Sequence, residues 1–173
     1  MRVRTLIFLI ALAFAWGACT NAAYAQSVPV LKGRVTDTAG VLSSAEQVRL
    51  SKLLADYEDE THHQLAVLTI TTLSGEPLEK YSPSVANTWG LGYRGVDNGI
   101  LIILAMKERK VRIELGKGME RYISDAEAKA IIDDTMTPAF ATGDFAGGLE
   151  QGLKRLMADA RRFVVNPSEL PRR

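Results

Sequence analysis

The sequence predicts an α/β protein, a three-layer α/β/α sandwich with a mixed central sheet. Three observations predict it. Residues 65–70 and 100–106 are short, continuous apolar runs rich in branched side chains, as strands covered on both faces are. Amphipathic helical stretches alternate with these runs, which is how a helix-covered sheet is built. Finally, Lys110-Val111-Arg112-Ile113-Glu114-Leu115 alternates and follows the second run after the charged turn Lys107-Glu108-Arg109, so those two strands pair as an antiparallel hairpin.

The chain has 173 residues, nearly half apolar and a quarter charged, enough for one domain with a proper core. Residues 1–25 read as a targeting segment. Arg2 and Arg4 give a positive start, 5–18 is almost wholly apolar, and Ala23-Tyr24-Ala25 offers a small-x-small cleavage site before Gln26. The apolar run is too short, with the wrong flanks, for a permanent span. The alternative is lipid attachment at Cys19, behind Gly17-Ala18. Cys19 is the only cysteine, so the chain cleaved at Ala25 has no disulfide, no nucleophilic thiol and no thiolate metal site. Losing Arg2 and Arg4 takes the formal charge from +1 to −1, and no basic stripe supports nucleic-acid binding. The expected location is periplasmic or secreted.

In order, residues 26–33 are expected to be a flexible leader to a domain over 34–164, with 165–173 a tail. Val35 pairs at a sheet edge and Asp37 opens a loop. Ser43 with Glu46 makes a capping box, and Leu50, Leu53, Leu54 and Tyr57 share one helical face, giving a helix over 44–61. His62 and His63 close it. Adjacent residues do not face one way, so they are read as structural, favoured by the helix dipole, and not as a metal pair. After the 65–70 strand comes a helix over 78–88. Pro83 interrupts it, and a restart capped by Ser82 is expected. Ser124 with Glu127 makes a second capping box for a helix to Met136, and Thr137-Pro138 restarts the chain. The last helix follows Gly143-Asp144-Phe145. Its Gly147, Gly148 and Gly152 cost roughly 1 kcal/mol each against alanine, which implies close packing against a neighbour.

The chain is organised around residues 89–101, where a helix ends and a strand begins. Gly90, Gly92, Gly95 and Gly99 force sharp turns there, and Asp97-Asn98 puts a carboxylate and an amide at the mouth of a strand. Asp-Asn-Gly is equally an ordinary turn. Gly90-x-Gly92-x-x-Gly95 has the letters of a dinucleotide fingerprint but follows a helix, the reverse of the required context. No nucleophile elbow or Walker loop is present. Acidic loop residues remain: Asp37, Asp97 and Asp144, then Asp125 and Glu114. Such loops supply the oxygen ligands calcium takes, or the fewer carboxylates magnesium uses.

Three stretches resemble the TPM domain family: Val35-Thr36-Asp37-Thr38-Ala39-Gly40-Val41-Leu42-Ser43, Trp89-Gly90-Leu91-Gly92 running on to Asp97-Asn98-Gly99-Ile100-Leu101, and 110–120. Pro138-Ala139-Phe140 with 143–148 adds a fourth. The resemblance implies an α/β/α fold and a divalent cation, often calcium, at acidic loops. Carried onto matching positions, the ligands would be Asp37, Asp97, Asn98 and Asp144. Thylakoid members are linked to acid phosphatase activity and photosystem repair, and many bacterial ones carry a transmembrane helix and a low-complexity tail after the domain. This chain shows neither, which argues against direct anchoring. Two functions follow. One is a non-catalytic, calcium-ordered module for the maintenance or quality control of envelope or membrane proteins. The alternative is a metal-assisted phosphomonoesterase, with Asp97 on the metal, Asp37 as base, and Arg94 or Arg112 holding the phosphate ester.

Overall fold

A computed structural model describes residues 27–163, Val165 and Ser168. The expected targeting segment, with Cys19, and most of the expected tail lie outside the described residues.

The chain runs β1 (Val35–Asp37), α1 (Ser44–Thr61), β2 (Gln64–Ile70), α2 (Leu78–Trp89), β3 (Gly99–Ala105), β4 (Lys110–Leu115), α3 (Asp125–Ile131), a π-helical turn (Ile132–Met136), α4 (Thr137–Ala141) and α5 (Phe145–Ala160). The sheet order is β1-β2-β3-β4. The first three strands are parallel and β4 returns antiparallel to β3, so the sheet is mixed as expected.

Alternation divides the buried strands between two cores. Leu65, Val67, Ile100 and Ile102 face α1, α3 and α5, while Ala66, Leu68, Leu101 and Ile103 face α2. The β1–α1–β2 and β2–α2–β3 crossovers step the same way across the sheet but over opposite faces. They are therefore of opposite hand, and one departs from the usual right-handed rule. The α2 face is also partly covered by the leader: Val28 packs there, Trp89 Nε1 donates to the Pro29 carbonyl at 2.9 Å, and Tyr81 Oη to the Ser27 carbonyl at 3.4 Å. The leader expected to be flexible is held at these points.

Both capping boxes form, at Ser43 with Glu46 and Ser124 with Glu127. The restart at Ser82 does not. α2 is one helix with Pro83 inside it, and Ser82 Oγ donates back to the Leu78 carbonyl instead of capping forward. The helix expected to end at Met136 continues through a π turn into α4. Pro138 has no N–H to give, and the Thr137 N–H reaches back five residues to the Ile132 carbonyl. The glycines of α5 do mark close packing. A Cβ at Gly148 would lie 2.6 Å from the Phe140 ring, and one at Gly152 would overlap Met136. Gly147 instead gives room to the side chain of Asp144, the residue that caps α5.

His63 is wholly buried at the end of α1. Its Nδ1 meets Tyr57 Oη at 2.9 Å, Tyr57 Oη donates to the Met157 carbonyl at 3.3 Å, and His63 Nε2 has no partner among the described residues. The ring stacks on Phe163, which stacks in turn on Tyr122. His62 takes the left-handed cap position at φ 60°.

Candidate functional site

The loop between α2 and β3 is built around Asn98. Its side chain is wholly buried, although it is an amide. Oδ1 accepts the Tyr93 N–H at 2.9 Å and Nδ2 donates to the His62 carbonyl at 2.6 Å. Gln64 adds a second tie, its Oε1 accepting the Gly92 N–H at 2.8 Å. A polar group survives burial when it is hydrogen-bonded in this way. Asn98 thus fastens the glycine-rich loop to the turn where α1 becomes β2.

Glycine then lets three backbone segments touch. A Cβ at Gly99 would lie 2.5 Å from the Leu91 carbonyl oxygen, and one at Gly92 would lie 2.7 Å from the Gly99 nitrogen. At Gly116 a Cβ would overlap the Asp97 carbonyl oxygen, and at Gly118 that of Val96. The Gly118 N–H donates to the Asp97 carbonyl at 3.1 Å, and the Gly116 N–H to the Gly99 carbonyl at 2.8 Å. Gly118→Ala is therefore expected to cost about 1–3 kcal/mol, as other overpacked sites do. A urea-melt midpoint equal to that of the parent would contradict this packing.

Asp97 stands on this frame at φ 51°, a left-handed backbone rare for residues with a side chain. Its carboxylate is exposed and accepts no hydrogen bond among the described residues. It faces a cleft of about 410 Å³ that also takes in Asn87 of α2, Glu114 of β4, and Lys117 and Glu120 beyond it. Glu114 is engaged, its Oε2 accepting from Arg112 Nε at 2.8 Å.

The remaining sequence-predicted residues stand elsewhere. Asp37 organises the turn after β1. Oδ1 accepts from the Gly40 and Val41 N–H groups at 3.0 and 3.3 Å and from Thr69 Oγ1, and Oδ2 from the Leu42 N–H at 2.9 Å. Asp144 accepts the Gly147 N–H at 2.8 Å as the cap of α5. Asp125 is the first residue of α3, and Arg94 is exposed in the loop but does not line the cleft. Asp37 is level with Thr69 and Leu104, whereas Asp97 precedes Gly99 at the other end of β3. Five residues of strand separate the two levels by about 17 Å. Asp37 and Asp97 therefore belong to different sites.

Calcium needs six to eight oxygens. Among the described residues no group of three or more His, Cys, Asp or Glu side chains is placed to hold a metal ion. Asp37 is filled by backbone donors, Asn98 is buried and bonded, and Asp144 caps a helix. The four candidates do not fit one shared cation, and Asp97 alone among them has both oxygens free. Glu120 and Lys117 were missed at the level of sequence. The Gly116-x-Gly118 pair beside them was the available signal, since it marks where the backbone of the Asp97 loop comes close.

Fold and cleft define a single α/β/α domain that presents an open, glycine-framed cleft at one end of its sheet. The sequence model of the TPM domain matches residues 35–159, and the chain belongs to the TPM domain family. Three solved structures are similar. The N-terminal domain of a protein from P. gingivalis is 34% identical, with a TM-score of 0.67 over 72% of this chain and 80% of that one. The BA42 protein of the psychrophilic bacterium Bizionia argentinensis is 22% identical, with a TM-score of 0.63 over 75% and 91%. The N-terminal domain of the cg2496 protein of Corynebacterium glutamicum is 20% identical, with a TM-score of 0.59 over 78% and 85%. The last two bear on fold alone. No curated protein matches the chain.

Proposed function

We propose that this protein is an exported binding module whose ligand site is the cleft beside Asp97, where it takes a divalent cation, calcium before magnesium, and presents the ordered loop to an envelope or membrane protein. One observation carries the reading. Asp97 keeps both carboxylate oxygens free in a strained, rigidly framed position, while Asp37 spends both of its own on internal hydrogen bonds and Asp144 spends Oδ1 on its helix cap. Residues held in sparsely populated backbone regions cluster at functional sites. Glu120 would supply a second carboxylate across the cleft, and water the rest of the shell. A site with so few protein ligands is weak.

A phosphomonoesterase is the second reading, favoured by Lys117 beside the carboxylates, which suits a phosphate ester. It ranks lower because no serine, cysteine or histidine lines the cleft and Asp37 is too far from Asp97 to act as its base.

Calorimetric titration of residues 26–173 with calcium tests the first reading. Binding with a dissociation constant on the order of 0.1–1 mM, lost in Asp97→Asn and kept in Asp144→Asn, is expected, in the range of weak extracellular sites. No heat with calcium, magnesium or manganese would end the cation reading. Hydrolysis of a chromogenic phosphate ester that Asp97→Asn abolishes would promote the second.

A further inference from the structure

We propose that the outer edge of β4 receives an extended peptide with an apolar last residue and a free C-terminal carboxylate. The site is independent of the Asp97 cleft, which lies at the other end of β4.

β4 is an edge strand. The Gly116 N–H bonds to the Gly99 carbonyl, and the antiparallel register then turns the backbone groups of Lys110, Arg112 and Glu114 toward β3. Those of Val111, Ile113 and Leu115 point away from the sheet, the pattern onto which an added strand hydrogen-bonds. This edge is recessed. A cavity of about 540 Å³ runs along it, walled on one face by Leu78 and Glu79 of α2 and on the other by Ala128 and Ile132. Walls on both faces admit one strand, whereas a second copy would bring its own helices against them.

At the hairpin end the groove continues into a cavity of about 560 Å³, lined by Leu104, Met106, Val111, Phe140 and Phe145. Arg109, Lys110, Val111 and Thr137 line both cavities, so the two are continuous. Arg109 and Lys110 are exposed, and neither has an ion-pair partner among the described residues. Glu79, Asp125 and Asp133 line the groove along β4, but the hairpin-end cavity has no acidic lining among the described residues, and its two free cations beside apolar walls complement an apolar side chain next to a carboxylate. A strand laid antiparallel to β4 ends beside Lys110, which sets the direction of the peptide.

The probe is an acetylated hexapeptide of alternating threonine and valine ending in leucine, labelled for fluorescence anisotropy. The free acid is expected to bind the full mature chain at least ~10-fold more tightly than the same peptide amidated at its C-terminus, because a charge-assisted contact is lost. The double variant Arg109→Glu with Lys110→Glu should lose that preference. Val111→Pro removes one outward N–H without touching the β3 ladder and should weaken both peptides. The thermal midpoint of each variant shows that the fold is retained. Equal binding of acid and amide overturns the proposal. So does absence of peptide binding, whether the protein then proves to be a dimer through this edge or binds only anionic vesicles.

Discussion

Between pH 6.5 and pH 4 the protein is expected to lose about 3 kcal/mol of stability to one residue, His63. Burial drives its folded pKa down from 6.5 to about 4, because the imidazolium would sit among Tyr57, Phe163 and the end of α5 without water. Its Nδ1 is tied to Tyr57 Oη at 2.9 Å, and the Tyr57 phenol is itself pushed up to about 12 by burial. Protonation would place a charge in that enclosed space, and its desolvation outweighs the Phe163 backbone contact that favours the charged ring. The sign follows from the protons bound. Between the two pKa values the unfolded chain holds a proton on His63 that the folded chain does not, so stability rises with pH. The contribution is complete above pH 6.5 and gone below pH 4. By pH 5 about 2 kcal/mol is already lost, before most carboxylates titrate. Chemical denaturation at a series of pH values reads this directly. His63→Phe keeps a ring in the stack and should flatten the slope between pH 6.5 and 5. A parent protein equally stable at pH 7 and pH 5 would show that His63 is not buried neutral.

Asn98→Ala is expected to cost about 2–4 kcal/mol and to lower the melting temperature by roughly 10 °C. The substitution removes two hydrogen bonds of a wholly buried side chain at once and takes the partners from the half-buried Tyr93 N–H and His62 carbonyl. Large effects of this kind come from stranding buried polar groups. Asn98→Asp separates the two roles. It keeps an acceptor for Tyr93, loses the donor to His62, and buries a charge, so it should be no more stable than the alanine variant. A melting temperature within 2–3 °C of the parent for either variant would mean that Asn98 is an ordinary turn residue.

That residue also shows what sequence can and cannot tell. Asp97-Asn98-Gly99 was recognisable as a turn at the mouth of a strand, and both capping boxes and the β3–β4 hairpin were legible because each depends on neighbours in sequence. The division of labour inside the turn was not legible. Asn98 looked like a ligand beside Asp97, but its partners, Tyr93 and His62, are fixed by how α1 meets β2. Asp37 looked equivalent to Asp97 for the same reason. Only the parallel register places them at opposite ends of the sheet. Pro83 misled in the other direction. Its local preference favours a helix start, yet Tyr81 and Val85 on either side of it are drawn into the core and carry the helix through.

The two faces of the sheet are unequally covered. One carries α1, α3, the π turn, α4 and α5, and the other carries α2 with the strip of leader that Trp89 and Tyr81 hold. The α2 layer is therefore expected to open as a block, exposing Leu101 and Ile103, at a free energy below that of global unfolding, which native-state hydrogen exchange would read as weaker protection of α2 than of α1. Because α2 leads straight into the Asp97 loop, the same partial opening would loosen the cleft. A partner that grips the leader and α2 together would then raise the protection of the loop from a distance, without touching it.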